Sequence, residues 1–240
     1  EVLKTIRTSK NYSQQKVAAG KFTQATYSYF EKNKSDISAS NFIFLLDQLQ
    51  ISLDELIFLH NGYKNSESDT LLNNFFNSPY NDNQTINQLL DEIQKYLLMN
   101  PNHALLNELK IICEGLLLLI STGDIKAAQS KVIKIWDRIS TYDQYYFMDI
   151  KMLNAILYCF EYETAKNIVK FLIINLNRYK DFKEARKVKN SVISNFAMIC
   201  IINDDILKAE DNLLNLLKEG IQSISYVTLS TCFSRLAICY

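Results

Sequence analysis

The stretch Ser13–Ser35, SQQKVAAGKFTQATYSYFEKNKS, decides how the rest of the chain is read. Ser13 is a favourable N-cap, and Gln14 to Ala19 read as a short helix with Val17 and Ala18 turned inward. Gly20 supplies the permissive backbone that a tight turn needs, and Thr23 caps the helix that follows. On that second helix Tyr27, Phe30 and Glu31 recur at i, i+3 and i+4, which makes one buried stripe. Gln24, Ala25, Thr26, Ser28 and Tyr29 are left facing outward. They are small or hydrogen-bonding side chains of the kind that read base edges in a major groove.

Outward from this stretch, Glu1 to Ser9 reads as a first helix with Val2, Leu3 and Ile6 as its apolar stripe. Ser38 caps a fourth helix, whose Phe42, Leu45, Leu46 and Leu49 close a small core. Ser52 caps a fifth, with Asp54 and Glu55 in its first turn where the helix dipole favours them, and that helix ends near Gly62.

Together these segments resemble a helix-turn-helix domain of the XRE (Cro and phage-repressor) type. More narrowly they resemble the N-terminal domain of the Rgg/GadR/MutR transcriptional regulators. The residues that carry the resemblance are Ile6-Arg7, Ser13-Gln14, Val17-Ala18-Ala19-Gly20, Ser28-Tyr29-Phe30-Glu31 and Ser52-Leu53-Asp54-Glu55-Leu56. The chain departs from the family where Tyr29 stands in place of a basic residue and Asn33 in place of a glycine. Asn tolerates the left-handed turn; Tyr29 changes which bases are read. The resemblance implies that Arg7 pairs with Glu31 and fixes the first helix against the recognition helix, or contacts a phosphate, or does both. Gln14, at a helix N-terminus, and Lys32 and Lys34, after the recognition helix, are expected on the DNA backbone.

Charge is unevenly distributed. Residues 1–35 hold seven basic groups (Lys4, Arg7, Lys10, Lys16, Lys21, Lys32, Lys34) against Glu1 and Glu31, plus five, so the other 205 residues carry minus five in a chain of net charge zero. A basic head on an acidic body fits a phosphate-binding module joined to a domain that does not bind nucleic acid. No apolar run reaches membrane-spanning length and nothing resembles a signal peptide, so no membrane partner is expected. The chain lacks an initiator Met and stops within LAICY, so further residues are expected at both ends. Cys113, Cys159, Cys200, Cys232 and Cys239 each lie in an apolar helical pattern without a CxxC or Cys/His cluster, which predicts buried free thiols in a reducing cytosol. With only His60 and His103 and no carboxylate constellation or Gly-rich phosphate loop, no catalytic residue, metal site or cofactor is expected.

Asn61–Ser68 (NGYKNSES) reads as a linker; beyond it the chain is nearly all helical, with Pro79, Pro101, Gly115, Gly123 and Gly220 as punctuation. A degenerate repeat runs through this part. Asp124 stands four before Ala128, Glu161 four before Ala165, and Asp205 four before Ala209. This resembles the turn and second helix of a tetratricopeptide repeat, where a small residue is needed because two helices cross closely. The fold expected is therefore all-α: a five-helix XRE-type domain over 1–62, then an α-solenoid of tetratricopeptide-like helix pairs over 63–240. The first helices of the pairs, about 103–121, 143–160, 184–202 and 223–240, are expected to line its concave face.

Polar side chains interrupt those helices at Asn154, Asn195 and Arg235. An asparagine amide can hold a peptide backbone through both its donor and its acceptor, and it can equally be a satisfied interface amide. Arg186 and Arg178 lie near the same rim and are candidates for a peptide carboxylate. Tyr145, Tyr146, Phe147 and Tyr158 offer apolar walls, although aromatics at helical spacing are more often core. The peptide-binding candidates are thus Asn154, Tyr158, Arg186, Asn195 and Arg235. The resemblance implies a cytoplasmic, homodimeric regulator that binds an operator in double-stranded DNA and answers to a short signalling peptide, as in quorum sensing. The alternative keeps the DNA-binding head and makes the helical domain a body for protein contacts or dimerisation without a peptide.

Overall fold

The computed structural model describes residues 1–78, 82–222 and 225–240. All regular structure among them is helical: fourteen α-helices, with one-turn 3-10 segments at Leu157–Cys159 and Asn177–Tyr179. The chain forms two compact units, Glu1–Thr70 and Leu71–Tyr240. The residues read as a linker, 61–68, thus group with the first unit, and the division falls within a helix, α6 (Glu67–Phe76).

In the first unit, α1 (Val2–Ser9), α2 (Gln14–Ala18), α3 (Gln24–Glu31), α4 (Ala39–Leu49) and α5 (Leu53–His60) follow the expected order. Each of the last four starts at a hydroxyl cap: Ser13, Thr23, Ser38 and Ser52 accept from the backbone N–H three residues on, at 3.0, 3.1, 3.3 and 3.1 Å. Each such cap stabilises its helix by about 1 kcal/mol. Between α2 and α3 both Ala19 (φ 42°) and Gly20 (φ 75°) are left-handed. Gly20 adopts this freely, whereas Ala19 carries a cost of about 1–2 kcal/mol that the surrounding core must offset. That core is Leu3, Val17, Ala18, Tyr27, Leu45, Leu46 and Leu49, with Ile6, Phe30 and Phe42 packed against it.

In the second unit α7 (Asn83–Met99) precedes α8 (Ala104–Thr122), α9 (Ile125–Ser140), α10 (Phe147–Ile156), α11 (Tyr162–Leu176), α12 (Ala185–Ile202), α13 (Ile206–Gln222) and α14 (Tyr226–Cys239). Consecutive helices pair, while α8 packs on α10, α10 on α12 and α12 on α14, so alternate helices form one layer. The repeated acidic residues sit at the starts of the second helices. Asp124 and Glu161 are the N-caps of α9 and α11, and the Asp205 carbonyl takes the N–H of Ala209. The alanine four residues on is completely buried in all three cases, at Ala128, Ala165 and Ala209. Tight crossing is explicit between α8 and α9, where a Cβ on Gly115 would stand 2.7 Å from Val132 Cγ1.

Helices α8 and α12 match their expected spans within a residue. The helix expected over 143–160 is shorter: the Tyr146 N–H donates to Asp149 Oδ2 at 3.0 Å, which starts α10 at Phe147, and its end tightens into the 3-10 turn. The helix expected from 223 begins at Tyr226 behind the Ser225 cap; positions 223 and 224, like Pro79, lie outside the described residues. All five cysteines are free, four buried and Cys239 half-buried. No described helix is long and apolar enough to cross a membrane.

Candidate nucleic-acid interface and a polar face on the helical repeat

Helix α3 is anchored by the stripe read from its sequence. Tyr27 is fully buried and Glu31 nearly so, whereas Gln24, Ala25, Thr26 and Tyr29 are exposed and Ser28 is half-buried. Arg7 of α1 meets Glu31 in a forked pair, Nε to Oε1 at 2.5 Å and Nη2 to Oε2 at 3.0 Å, and its Nη1 donates to the Tyr12 carbonyl at 2.7 Å. The guanidinium is thereby committed inward on all three nitrogens. Of the two roles left open by the sequence, this geometry supports the positioning one.

Gln14 is committed as well. Its Nε2 donates to Glu31 Oε2 at 2.8 Å, and its Oε1 accepts from Gln24 Nε2 at 2.7 Å. A carboxylate accepts only, so Glu31 forces the Gln14 amide nitrogen toward itself and leaves the Gln14 oxygen for Gln24. The buried ion pair thus orients the first side chain of the recognition helix through one intermediary. Burial alone would push the Glu31 carboxyl up, but the hydrogen bonds from Arg7 and Gln14 outweigh it and hold the group below the ordinary carboxylate value.

The seven basic groups divide by environment. Besides Arg7, Lys10 donates to the Leu49 carbonyl at 2.6 Å, and Lys16 sits over the Tyr12 ring at 3.4 Å. Lys4, Lys21, Lys32 and Lys34 are exposed and in no ion pair with a described residue. Lys32 and Lys34 flank Asn33, whose left-handed backbone (φ 54°) lets the Lys34 N–H reach the Tyr29 carbonyl at 2.9 Å. Lys21, one of the basic head's seven groups, stands in the turn directly before α3.

On the second unit, four of the five peptide-binding candidates converge on α10, the 3-10 turn that follows it, α12 and α14. Asn154 donates to Ser191 Oγ at 3.0 Å, Asn195 to Asn154 Oδ1 at 3.3 Å, and the Tyr158 hydroxyl to Asn195 Oδ1 at 3.3 Å. Arg235 Nη1 donates to the Ser194 carbonyl and, at 2.7 Å, to its hydroxyl. Arg186 stands apart, exposed and in none of these contacts, because the stripe on α12 runs Lys187, Ser191, Asn195 at i, i+4, i+8 and residue 186 lies about 100° round the helix. Ser191 and Ser194 are further members of the cluster, and only that spacing could have disclosed Ser191.

Residues 3–56 match the helix-turn-helix family model. That part of the chain is a helix-turn-helix domain. Nearly the whole length of the chain is similar in fold to several solved structures. A protein from Listeria monocytogenes EGD-e, assigned as a transcriptional regulator, has a TM-score of 0.72 at 18% identity, with 99% of this chain and 87% of that chain covered. The SHP pheromone receptor Rgg2 of Streptococcus dysgalactiae gives 0.61 at 16% identity, over 99% of this chain and 80% of that one. PlcR of Bacillus thuringiensis, solved with the peptide PapR7 and DNA, gives 0.65 at 12% identity, over 99% and 84%. At these identities the likeness is one of fold.

Proposed function

We propose that this chain is a sequence-specific DNA-binding regulator in the cytoplasm, acting as a homodimer under the control of a short signalling peptide. The observation that carries the DNA-binding half is the recognition helix itself: Gln24, Ala25, Thr26 and Tyr29 stand exposed on α3 while Tyr27 and Glu31 lock it from behind. Exposed Lys21, Lys32 and Lys34 at its two ends supply phosphate contacts that set register. One such head reads only a few base pairs, so a two-fold operator multiplies its selectivity.

Support for the peptide half comes from the amide-rich face of α10 and α12, where Asn154 and Asn195 offer both donors and acceptors. The same face also favours a second reading, because these amides already satisfy one another; a body used for dimerisation alone needs nothing more. Titration calorimetry of the full-length protein with short apolar peptides encoded beside its own gene, followed by operator binding with and without the best peptide, separates the two. A peptide that binds at micromolar concentration and shifts operator affinity establishes the sensor. Operator binding unchanged by every peptide leaves the dimerisation reading.

A further inference from the structure

The polar face has two unlike ends, and both can be traced residue by residue. At one end Arg235 of α14 is half-buried, held by Ser194 of α12, and lies beside the Tyr158 hydroxyl in the 3-10 turn that follows α10. No carboxylate of the described residues pairs with it. A guanidinium removed from water without a counter-charge is costly, and it is the side chain best shaped to take a carboxylate on two N–H groups at once. Its Nη1 is engaged with Ser194 and the guanidinium also meets the Tyr158 hydroxyl, both neutral partners, so its positive charge is left for an anion to match.

At the other end the character is apolar. Phe147, the first residue of α10, lies 5.5 Å from the Tyr179 ring and 4.8 Å from the Phe182 ring, and the last two rings are 6.0 Å apart. Phe182 is nevertheless half exposed, with 52% of its surface open. Of the cationic groups nearest this end, Lys151 is paired with Glu184 at 3.7 Å, and Lys187 is exposed and donates to the neutral Asn77 side chain at 2.5 Å, so the half-buried, carboxylate-free guanidinium lies only at the Arg235 end. Asn154, Ser191 and Asn195 lie between the two ends.

We infer that this face takes a short peptide in one direction, with a carboxylate seated on Arg235 beside Tyr158 and an apolar side chain against Phe147 and Phe182. The inference rests on the peptide-sensing reading and gives it a ligand class. From Phe147 to Tyr158 a helical rise of about 1.5 Å per residue gives about 16 Å. At about 3.3–3.6 Å per extended residue, that length holds about five residues. The carboxylate is either the C-terminus of the peptide or an acidic side chain near one end; the chemistry at Arg235 is the same.

The test uses the immobilised full-length protein and three pools of N-acetylated pentapeptides made from Ile, Val, Phe, Gly and Ser. One pool ends in a free carboxylate, the second is amidated, and the third is amidated with a single Asp at a varied position. Retention is read by mass spectrometry. We expect the first or third pool to be retained about tenfold over the neutral amidated one, the scale of a charge-assisted hydrogen bond. Which of the two is retained identifies the carboxylate. Arg235→Gln should abolish the preference, and Arg235→Lys should keep part of it. A far-ultraviolet dichroism spectrum and melting curve confirm that each variant is folded. Phe182→Ala, at the opposite end, should weaken retention of peptides with a distal Phe or Ile and leave the carboxylate preference intact. Equal retention of all three pools overturns the inference while leaving a peptide sensor standing. Retention of none removes the peptide reading and the inference with it.

Discussion

Gln24 and Gln14 are joined by a 2.7 Å hydrogen bond from Nε2 of the first to Oε1 of the second, so the α3 side chain proposed to read bases is held from α2. Because Gln14 is itself fixed by Glu31 at 2.8 Å, Gln24 would meet a groove with one rotamer already selected. Pre-organisation of this kind reduces the side-chain entropy lost on binding, about 0.5–1.5 kcal/mol per immobilised side chain. Gln14→Ala should therefore weaken operator binding by about three- to tenfold while leaving the fold intact. Fluorescence anisotropy with a labelled operator reads the effect, and an affinity equal to wild type would separate Gln14 from recognition.

Arg7 and Glu31 predict an asymmetric mutational pattern. Their side chains are only 11% and 2% exposed, so removing one partner strands a buried charge. Arg7→Ala should cost the first unit about 3–5 kcal/mol, whereas Arg7→Met with Glu31→Leu should recover most of it. Chemical denaturation followed by dichroism measures both. A double variant as unstable as the single one would show that the charges, and not their pairing, hold α1 to α3.

The same pair fixes a pH dependence. Glu31 has a lowered folded-state value, so its contribution is full above the ordinary carboxylate value and is lost as pH falls through the lowered one. Wild-type stability should drop across that acid range, and Glu31→Gln should flatten this part of the profile. A melting series in acid, compared between the two proteins, shows the slope directly.

Gly115 is required by geometry between α8 and α9. Its absent Cβ would meet Val132 Cγ1 at 2.7 Å, and the helix backbone leaves little room to shift. Gly115→Ala gains about 1 kcal/mol of helix propensity but overpacks by about 1–3 kcal/mol, so a net loss is expected. Adding Val132→Ala should relieve the clash and restore part of the stability. If Gly115→Ala alone raised the melting temperature, the close crossing would be absent in solution.

Local chemistry in this chain was readable where the cause lies within a few residues. Ser13, Thr23, Ser38 and Ser52 announced four helix starts because a cap acts on the N–H three positions away. The acidic–alanine spacing announced the second helices because both residues belong to one turn of the same helix. Relationships set by tertiary placement were not readable in that way. Arg7 and Glu31 were joined only through a resemblance, and the Gln14–Gln24 bond depends on how two helices cross. Arg186, read as a rim residue, lies one position before Lys187 of the Lys187, Ser191, Asn195 stripe, and one residue of helical phase turns a side chain about 100° to another face.

Asn154 and Asn195 share one hydrogen bond, from Nδ2 of Asn195 to Oδ1 of Asn154, while Asn195 also accepts from Tyr158. Asn195→Ala removes two bonds, and Asn154→Ala removes that shared bond and the one to Ser191. The groups left behind are half-buried, so water replaces part of what is lost, and each change should cost about 1 kcal/mol. The double variant should cost less than the sum, because the shared bond can be lost only once. A double-mutant cycle should thus return about 0.5–1.5 kcal/mol of coupling. Strict additivity would mean that the amides face solvent independently, and a peptide would then meet two unlinked groups. Coupling in the expected range means that any ligand taking up both amides would have to compete with an existing bond between α10 and α12, which would tie occupancy of this face to the packing of neighbouring repeats.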